Sequence, residues 1–343
     1  MKLVDVNGVR KLIAVMGFPD FFQKLLAYTR EDLSHWSNFS KKERIGFYLK
    51  DGIIELMPIA GVDFFANKFV CTHPFNHRQS KYGVMGQGIW VDTHSGEPLM
   101  LAEMTFLTAL RTAAVSVLAS LEMAPWPSNR MAMIGCGAQS HFQVMAHHIF
   151  FNCRDIRCYD VNDQAMKRLI DEMAAFGITV KACHSVAQAV NNSDIIITTT
   201  NALRLHPVIE ASMLHPKLHI NAMGGDAPGY SELDPNILHQ VDRIVVEYLP
   251  QTRIEGEIQQ IPFQMIEDKT FELHQLINKE QKGRLRSDEI TLFDGVGFAL
   301  LDYSILRMIY DLTHDFDFAQ EVNMIPVYDK NKSLFRQLID GKS

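Results

Sequence analysis

The chain of 343 residues is 47% hydrophobic and 21% charged, with a formal net charge of −7. That length accommodates two domains with cores of their own, and the acidic balance argues against a nucleic-acid binder. Cys71, Cys136, Cys153, Cys158 and Cys183 form no CxxC pair, so they read as reduced thiols rather than a disulfide framework or zinc site.

Asp5 and Arg10 interrupt the N-terminal apolar pattern, which excludes a signal peptide, and no uncharged run reads as a membrane span. A cytoplasmic protein with no membrane contact and no metal is expected. Residues 1–40 read as helical, because Val9, Leu12, Ile13, Met16, Phe21, Phe22, Leu25 and Leu26 recur at helix spacing. From 44 to 70 the pattern turns strand-like, with Asp51-Gly52 as a hairpin turn. Further strands are expected at 88–92 and 99–103, giving an antiparallel meander. A long amphipathic helix covers 105–123 and ends at Pro125-Trp-Pro127, the expected domain boundary.

Beyond that point strands and helices alternate. Strands are read at 131–135, 156–159, 179–182, 195–199, 219–223 and 243–246, with helices at 163–175 and 185–190. The alternation predicts an α/β fold with a doubly wound parallel sheet, the Rossmann arrangement. A helical stretch from Glu289 onward and another at 300–312 return the chain to the first domain, on which the tail from Val322 is expected to pack. The resulting division places 1–127 and 315–343 in one domain, expected to bind substrate, and 128–314 in the Rossmann domain.

The chemistry starts at Met131-Ala-Met-Ile-Gly-Cys-Gly-Ala-Gln-Ser140. An apolar strand runs into Gly135-x-Gly137 and then into a helix, as where a dinucleotide pyrophosphate meets a helix N-terminus. Gly135 allows the tight turn, Gly137 lets the backbone approach the phosphates, and the small Ser140 replaces the usual third glycine. Asp160, ending the next strand, is placed to accept from the adenine ribose hydroxyls and to repel a 2′-phosphate, which favours NAD over NADP.

The second signal is His219-Ile-Asn-Ala-Met-Gly-Gly-Asp226-Ala-Pro-Gly. Asp226 stands beyond the carboxyl end of a strand, where the nicotinamide end of the cofactor belongs, although an acid before Pro228 also suits an ordinary turn. Met223, Gly224 and Gly225 join the cofactor set by the same placement. In the first domain, Arg44, Glu55 and Lys68 lie on neighbouring strands and Arg111 on the helix. Each alone could be a solvated charge, but Glu55 and Lys68 are flanked by apolar residues, where charges are usually paired or functional. Arginine suits bidentate capture of a carboxylate or phosphate.

Leu110-Arg-Thr-Ala-Ala114, Gly135-Cys-Gly-Ala-Gln-Ser140, Asn221-Ala-Met-Gly-Gly-Asp226-Ala-Pro-Gly and Phe293-Asp-Gly-Val-Gly-Phe-Ala299 together resemble the ornithine cyclodeaminase/μ-crystallin family, as do Glu55-Leu-Met-Pro58 and the block 246–260. The resemblance implies a homodimer whose second, α+β domain forms the interface. It implies conversion of L-ornithine to L-proline and ammonia with a tightly held NAD that is regenerated each turnover. Arg44, Lys68 and Arg111 would then surround the substrate carboxylate, with Arg111 also near the cofactor. Glu55 would hold the side-chain amine, Asp226 would act as general acid/base, and Val296 would line the substrate site. Ala138, Gln139, Asp160 and Thr200 would bind NAD. The chain departs from the family pattern at Tyr230, where a lysine is common, at Gly295 in place of a serine and at Gly83 in place of a threonine.

Two other readings stay open within the same resemblance: a lysine cyclodeaminase, or a ketimine or imino-acid reductase. A non-catalytic crystallin-type binder is a third. Glu55 favours a substrate with a terminal amine, and the joint presence of Asp226, Lys68 and Arg44 favours an enzyme.

Overall fold

The computed structural model describes residues 1–200 and 207–339. The chain opens with β1 (Lys2–Val4) and α1 (Val6–Ser34), and Asp5 caps the helix by accepting from the Gly8 N–H at 2.8 Å. Then come β2 (Ser40–Lys41), β3 (Ile45–Leu49), β4 (Gly52–Ala60), β5 (Phe64–Thr72), β6 (Val84–Asp92), β7 (Pro98–Glu103) and α2 (Thr105–Met123). The nucleotide fold follows with β8 (Arg130–Ile134), α3 (Ser140–Phe151), β9 (Asp155–Tyr159), α4 (Asp163–Ala174), β10 (Val180–Ala182), α5 (Val186–Val190), β11 (Ile195–Thr198) and β12 (His219–Ala222). It continues through α6 (Pro235–Gln240), β13 (Arg243–Val246), α7 (Leu249–Thr252), β14 (Thr270–Glu272), α8 (Leu273–Ile277) and β15 (Thr291–Asp294). The chain closes with α9 (Ala299–Asp315), β16 (Gln320–Glu321) and α10 (Leu334–Ile339).

The expected meander is present as β3 to β7, but β1 adds to it in parallel with β7, in the register Leu3↔Leu101, so the sheet is mixed. In the meander side chains alternate between faces. Glu55, Met57 and Ile59 of β4 share the covered face with Ala66, Lys68 and Val70 of β5, and with Gly86, Gly88 and Trp90 of β6. The strand periodicity therefore turns Glu55 and Lys68 inward. Helix α9 covers that face: Trp90 and Tyr303 ring centroids stand 4.7 Å apart, and a Cβ on Gly88 would lie 2.9 Å from the methyls of Leu306. The expected assignment of residues up to 314 to the nucleotide fold is corrected here, because α9 belongs with the mixed sheet.

The second sheet is wholly parallel, in the order β10-β9-β8-β11-β12-β15-β13-β14. Its first five strands have the Rossmann order, with the crossover reversal between β8 and β11. The helical stretch expected from Glu289 is instead β15, a fully buried strand between β12 and β13. Short apolar runs buried on both faces carry no period that separates strand from helix, and Thr-Leu-Phe-Asp is such a run. One apolar cluster joins Val4, Trp90 and the inner side of α2 to Met131, Met133, Ile195 and Ile197 on one face of this sheet. Ala132, Ile134, Ile196, Ile220 and Leu292 fill the other.

Helix α2 is apolar and long enough to cross a membrane by length and composition, yet here it is a core helix between the two layers. A buried polar seam fastens it. His147 Nε2 lies 3.1 Å from Ser120 Oγ, Asn221 donates to Ser120 at 2.8 Å, and His219 stands 3.2 Å from Asn221 and 2.9 Å from Thr291. Burial lowers the two imidazole pKa values to about 4 and about 3, so the seam is neutral. The tail beyond Val322 does not pack as expected: Leu334, Phe335, Leu338 and Ile339 are exposed.

Candidate active site

At the switch point of the parallel sheet, Gly135 has φ +92°, and a Cβ there would lie 2.7 Å from the Thr199 carbonyl, so only glycine fits. Around Gly137 the space a side chain would take is open. Ser140 Oγ donates to the Gly137 carbonyl at 2.7 Å and closes the turn onto α3. Asp160 accepts from the backbone N–H of Cys136 at 2.7 Å and of Asn162 at 2.8 Å. It thus braces the glycine turn as well as standing at a cavity of about 390 Å³ lined by Tyr159, Asp160, Val161, Met166 and His184. Gln139 donates its side-chain amide to Ala109 of α2 at 3.1 Å, which leaves its backbone as the part facing the turn. Thr200 and Gly224, at the ends of β11 and β12, share one acceptor: Glu232 takes the Thr200 hydroxyl at 2.6 Å and the Gly224 N–H at 3.0 Å. Met223 fills the place a side chain at residue 295 would need, since a Cβ on Gly295 would sit 2.6 Å from its sulfur. A side chain at 295 would therefore require Met223 to move.

The substrate-side residues converge in two groups. In the first, Arg44 enters from the segment before β3. Its Nη1 donates to Glu55 at 3.1 Å and to the Asp226 carbonyl at 3.4 Å, and its Nη2 to the Val296 and Gly297 carbonyls, the latter at 2.7 Å. Its Nε lies 3.2 Å from Glu255. Burial opposes the charge on Arg44, but Glu255, Glu55 and Asp226 outweigh it and hold the guanidinium proton more tightly than usual. Asp226 is exposed to solvent, yet protein groups are crowded around it. That desolvation, opposed by Arg44 and reinforced by Glu55, raises its pKa to about 6. Glu255 rises to about 7, again chiefly by burial.

In the second group, Lys68 of β5 and Arg111 of α2 meet Asp302 in the first turn of α9. Lys68 Nζ is 3.1 and 3.0 Å from the two Asp302 oxygens, and Arg111 Nε is 2.9 Å from one of them. Burial and the neighbouring Arg111 lower the Lys68 pKa to about 8, with Asp302 opposing. Beneath both groups Glu247 accepts the N–H groups of Val296 and Gly297, and Asp294 accepts that of Ile258. Burial lifts both carboxyls to about 7.

The structure thus brings together Arg44, Glu55, Asp226 and Val296, and separately Lys68 and Arg111. Tyr230 is half-buried, and its carbonyl accepts from Gln259 at 2.9 Å. Gly83 lies before β6, where its carbonyl accepts from the His73 N–H at 2.7 Å. Sequence reasoning passed over Asp302, Glu255, Glu247 and Glu232. Asp302 carried the signal used for Glu55, a charge inside an apolar run (Leu300-Leu-Asp-Tyr).

A family model described as the ornithine cyclodeaminase/mu-crystallin family matches residues 6–316. The chain belongs to that family. The ornithine cyclodeaminase of Brucella suis is 40% identical over 337 residues, spanning 98% of this chain and 93% of its own. Among solved structures, Δ1-pyrroline-2-carboxylate reductase of Thermococcus litoralis, in complex with NADH and L-proline, superposes with a TM-score of 0.85 at 27% identity, covering 94% of this chain and all of that one. An archaeal alanine dehydrogenase dimer with bound NAD gives 0.83 at 26%, covering 94% of this chain and 99% of that chain. The parallel sheet is Rossmann-like, as in these NAD-bound neighbours, and Asp226, Glu247 and Asp294 stand at or beyond the carboxyl ends of β12, β13 and β15.

Proposed function

We propose that the protein converts L-ornithine to L-proline and ammonia with a bound NAD. The carrying observation is the polarity of the site: Lys68 and Arg111 against Asp302 leave a cationic end, and Glu55, Glu255 and Asp226 against Arg44 leave an acidic one. A substrate with a carboxylate at one end and a terminal amine at the other matches that layout.

The residues present fit NAD: open space at Gly137, Asp160 beside a cavity, and Gly135 admitting no side chain. The bound nicotinamide would accept electrons from the α-carbon and return them later in the same turnover. Lys68 and Arg111 hold the α-carboxylate, while Arg44, expected beside them, pairs with Glu55 and Glu255 at the other end. Asp226 takes a proton from the α-amine and gives one to the departing ammonia. Glu55 orients the terminal amine and removes its proton so that the nitrogen can attack the same carbon. Holding both nitrogens against one carbon makes ring closure an intramolecular step. Ornithine then equals proline plus ammonia with no net redox change.

We also propose a homodimer, supported by the exposed Ile45, Phe47, Leu49 and Phe69 on the outer face of the mixed sheet, and a cytoplasmic setting, supported by five thiols without a paired motif. The functional test incubates purified protein with catalytic NAD and ornithine, lysine, arginine or alanine in turn. Proline and ammonia from ornithine without accumulating NADH are expected. Net NADH from ornithine overturns the reading, and faster turnover of lysine moves it one methylene along, a discrimination of only about 1–3 kcal/mol.

A further inference from the structure

Asp302 is 1% exposed and sits where β5, α2 and α9 converge. Two buried cations so close together repel each other and are costly to desolvate unless an anion lies between them. Asp302 is that anion, bridging Lys68 with both oxygens and Arg111 with one. It binds Arg111 through Nε, so the Nη edge stays directed away from it. That edge is pressed against Gly297, where a Cβ would stand 2.8 Å from Nη1 and 3.1 Å from Nη2, and Gly297 has φ +81°. The guanidinium plane is thereby fixed from two sides.

We propose that Asp302 is a positioning residue that holds Lys68 and Arg111 as a preformed cradle for the α-carboxylate of the substrate, the three groups together carrying a net charge of plus one. The identity of that substrate rests on the functional reading above; the carboxylate chemistry is common to any amino or imino acid. Lys68 faces Arg111 from α2, Asp302 from α9 and Arg44 from the segment before β3. Without the Asp302 charge its proton is held less tightly, so the cradle loses a cation at lower pH.

The experiment measures ornithine turnover by Asp302→Asn and Asp302→Glu in the full-length, NAD-loaded protein. In the Asn variant KM rises about tenfold or more while kcat changes less than about threefold, as for a lost uniform binding interaction. The alkaline fall of kcat/KM moves to lower pH by about one unit. The Glu variant, which retains the charge, recovers part of KM and returns the alkaline limb. A loss confined to kcat, or an alkaline limb that stays in place, overturns the assignment. If the Asn variant shows no cooperative melt, Asp302→Glu decides: an intermediate KM supports the cradle and an unchanged one overturns it. Failure of the unmodified protein to make proline overturns the functional reading alone. Asp302 is then judged by calorimetry with L-proline and L-alanine, whose affinity the Asn variant must lose.

Discussion

Around Arg44 one guanidinium faces the carboxylates Glu55, Glu255 and Asp226, whereas around Asp302 one carboxylate faces the cations Lys68 and Arg111. The majority sign differs between the two groups, and like charge adds to burial in shifting proton affinities at each end. At the acidic end Asp226 and Glu255 are raised, and at the cationic end Lys68 is lowered. A ligand of opposite charge offsets the like-charge contribution to each shift, which adds to the larger effect of burial, so binding at either end is coupled to protonation. The contrast also separates roles. The cationic end is closed by side chains bonded to each other, while the acidic end includes Asp226, which solvent still reaches.

The contrast breaks most sharply at Asp226. Replacing it by Asn should lower kcat on the order of 10²–10⁴-fold with little change in KM, because a proton-transfer group is lost while both charge pairs remain. Steady-state kinetics decide it, and full turnover in Asp226→Asn would remove the acid/base role. Glu55→Gln should act on both binding and turnover, raising KM for ornithine roughly tenfold to a hundredfold, the scale of a lost charge-assisted hydrogen bond, and lowering kcat because the terminal amine loses its proton acceptor. The smallest effect is on pH. Asp226 must be ionised to accept a proton, so kcat/KM should fall as pH drops through about 6. Glu55 is one cause of that raised value, so the acid limb should move to lower pH in Glu55→Gln. An unmoved limb would show that the two carboxylates do not sense each other.

The nucleotide half was legible because its cues are local. Gly135, Gly137, Ser140 and Asp160 lie in one strand-turn-helix-strand unit, and their spacing carries the geometry. The meander was legible through alternation, which also turned Glu55 and Lys68 inward. Asp302 carried the same local signal as Glu55, a charge in an apolar run, but its partner was not legible, because Lys68 lies 234 residues away in the chain. No periodic pattern reports a contact of that kind. Strand β15 was missed for a different reason, as burial on both faces erases its alternation.

The neutral seam through Ser120 and Asn221 has a mechanical consequence. Arg111 rides on α2 and Asp226 follows the end of β12, and the Asn221–Ser120 hydrogen bond of 2.8 Å ties that helix to that strand. The segments that carry Arg111 and Asp226 therefore form one jaw joined by that hydrogen bond, and parting the helix from the strand would break it. Since neither imidazole in it gains charge above about pH 4, acidification within the working range leaves the gauge of the jaw unaltered.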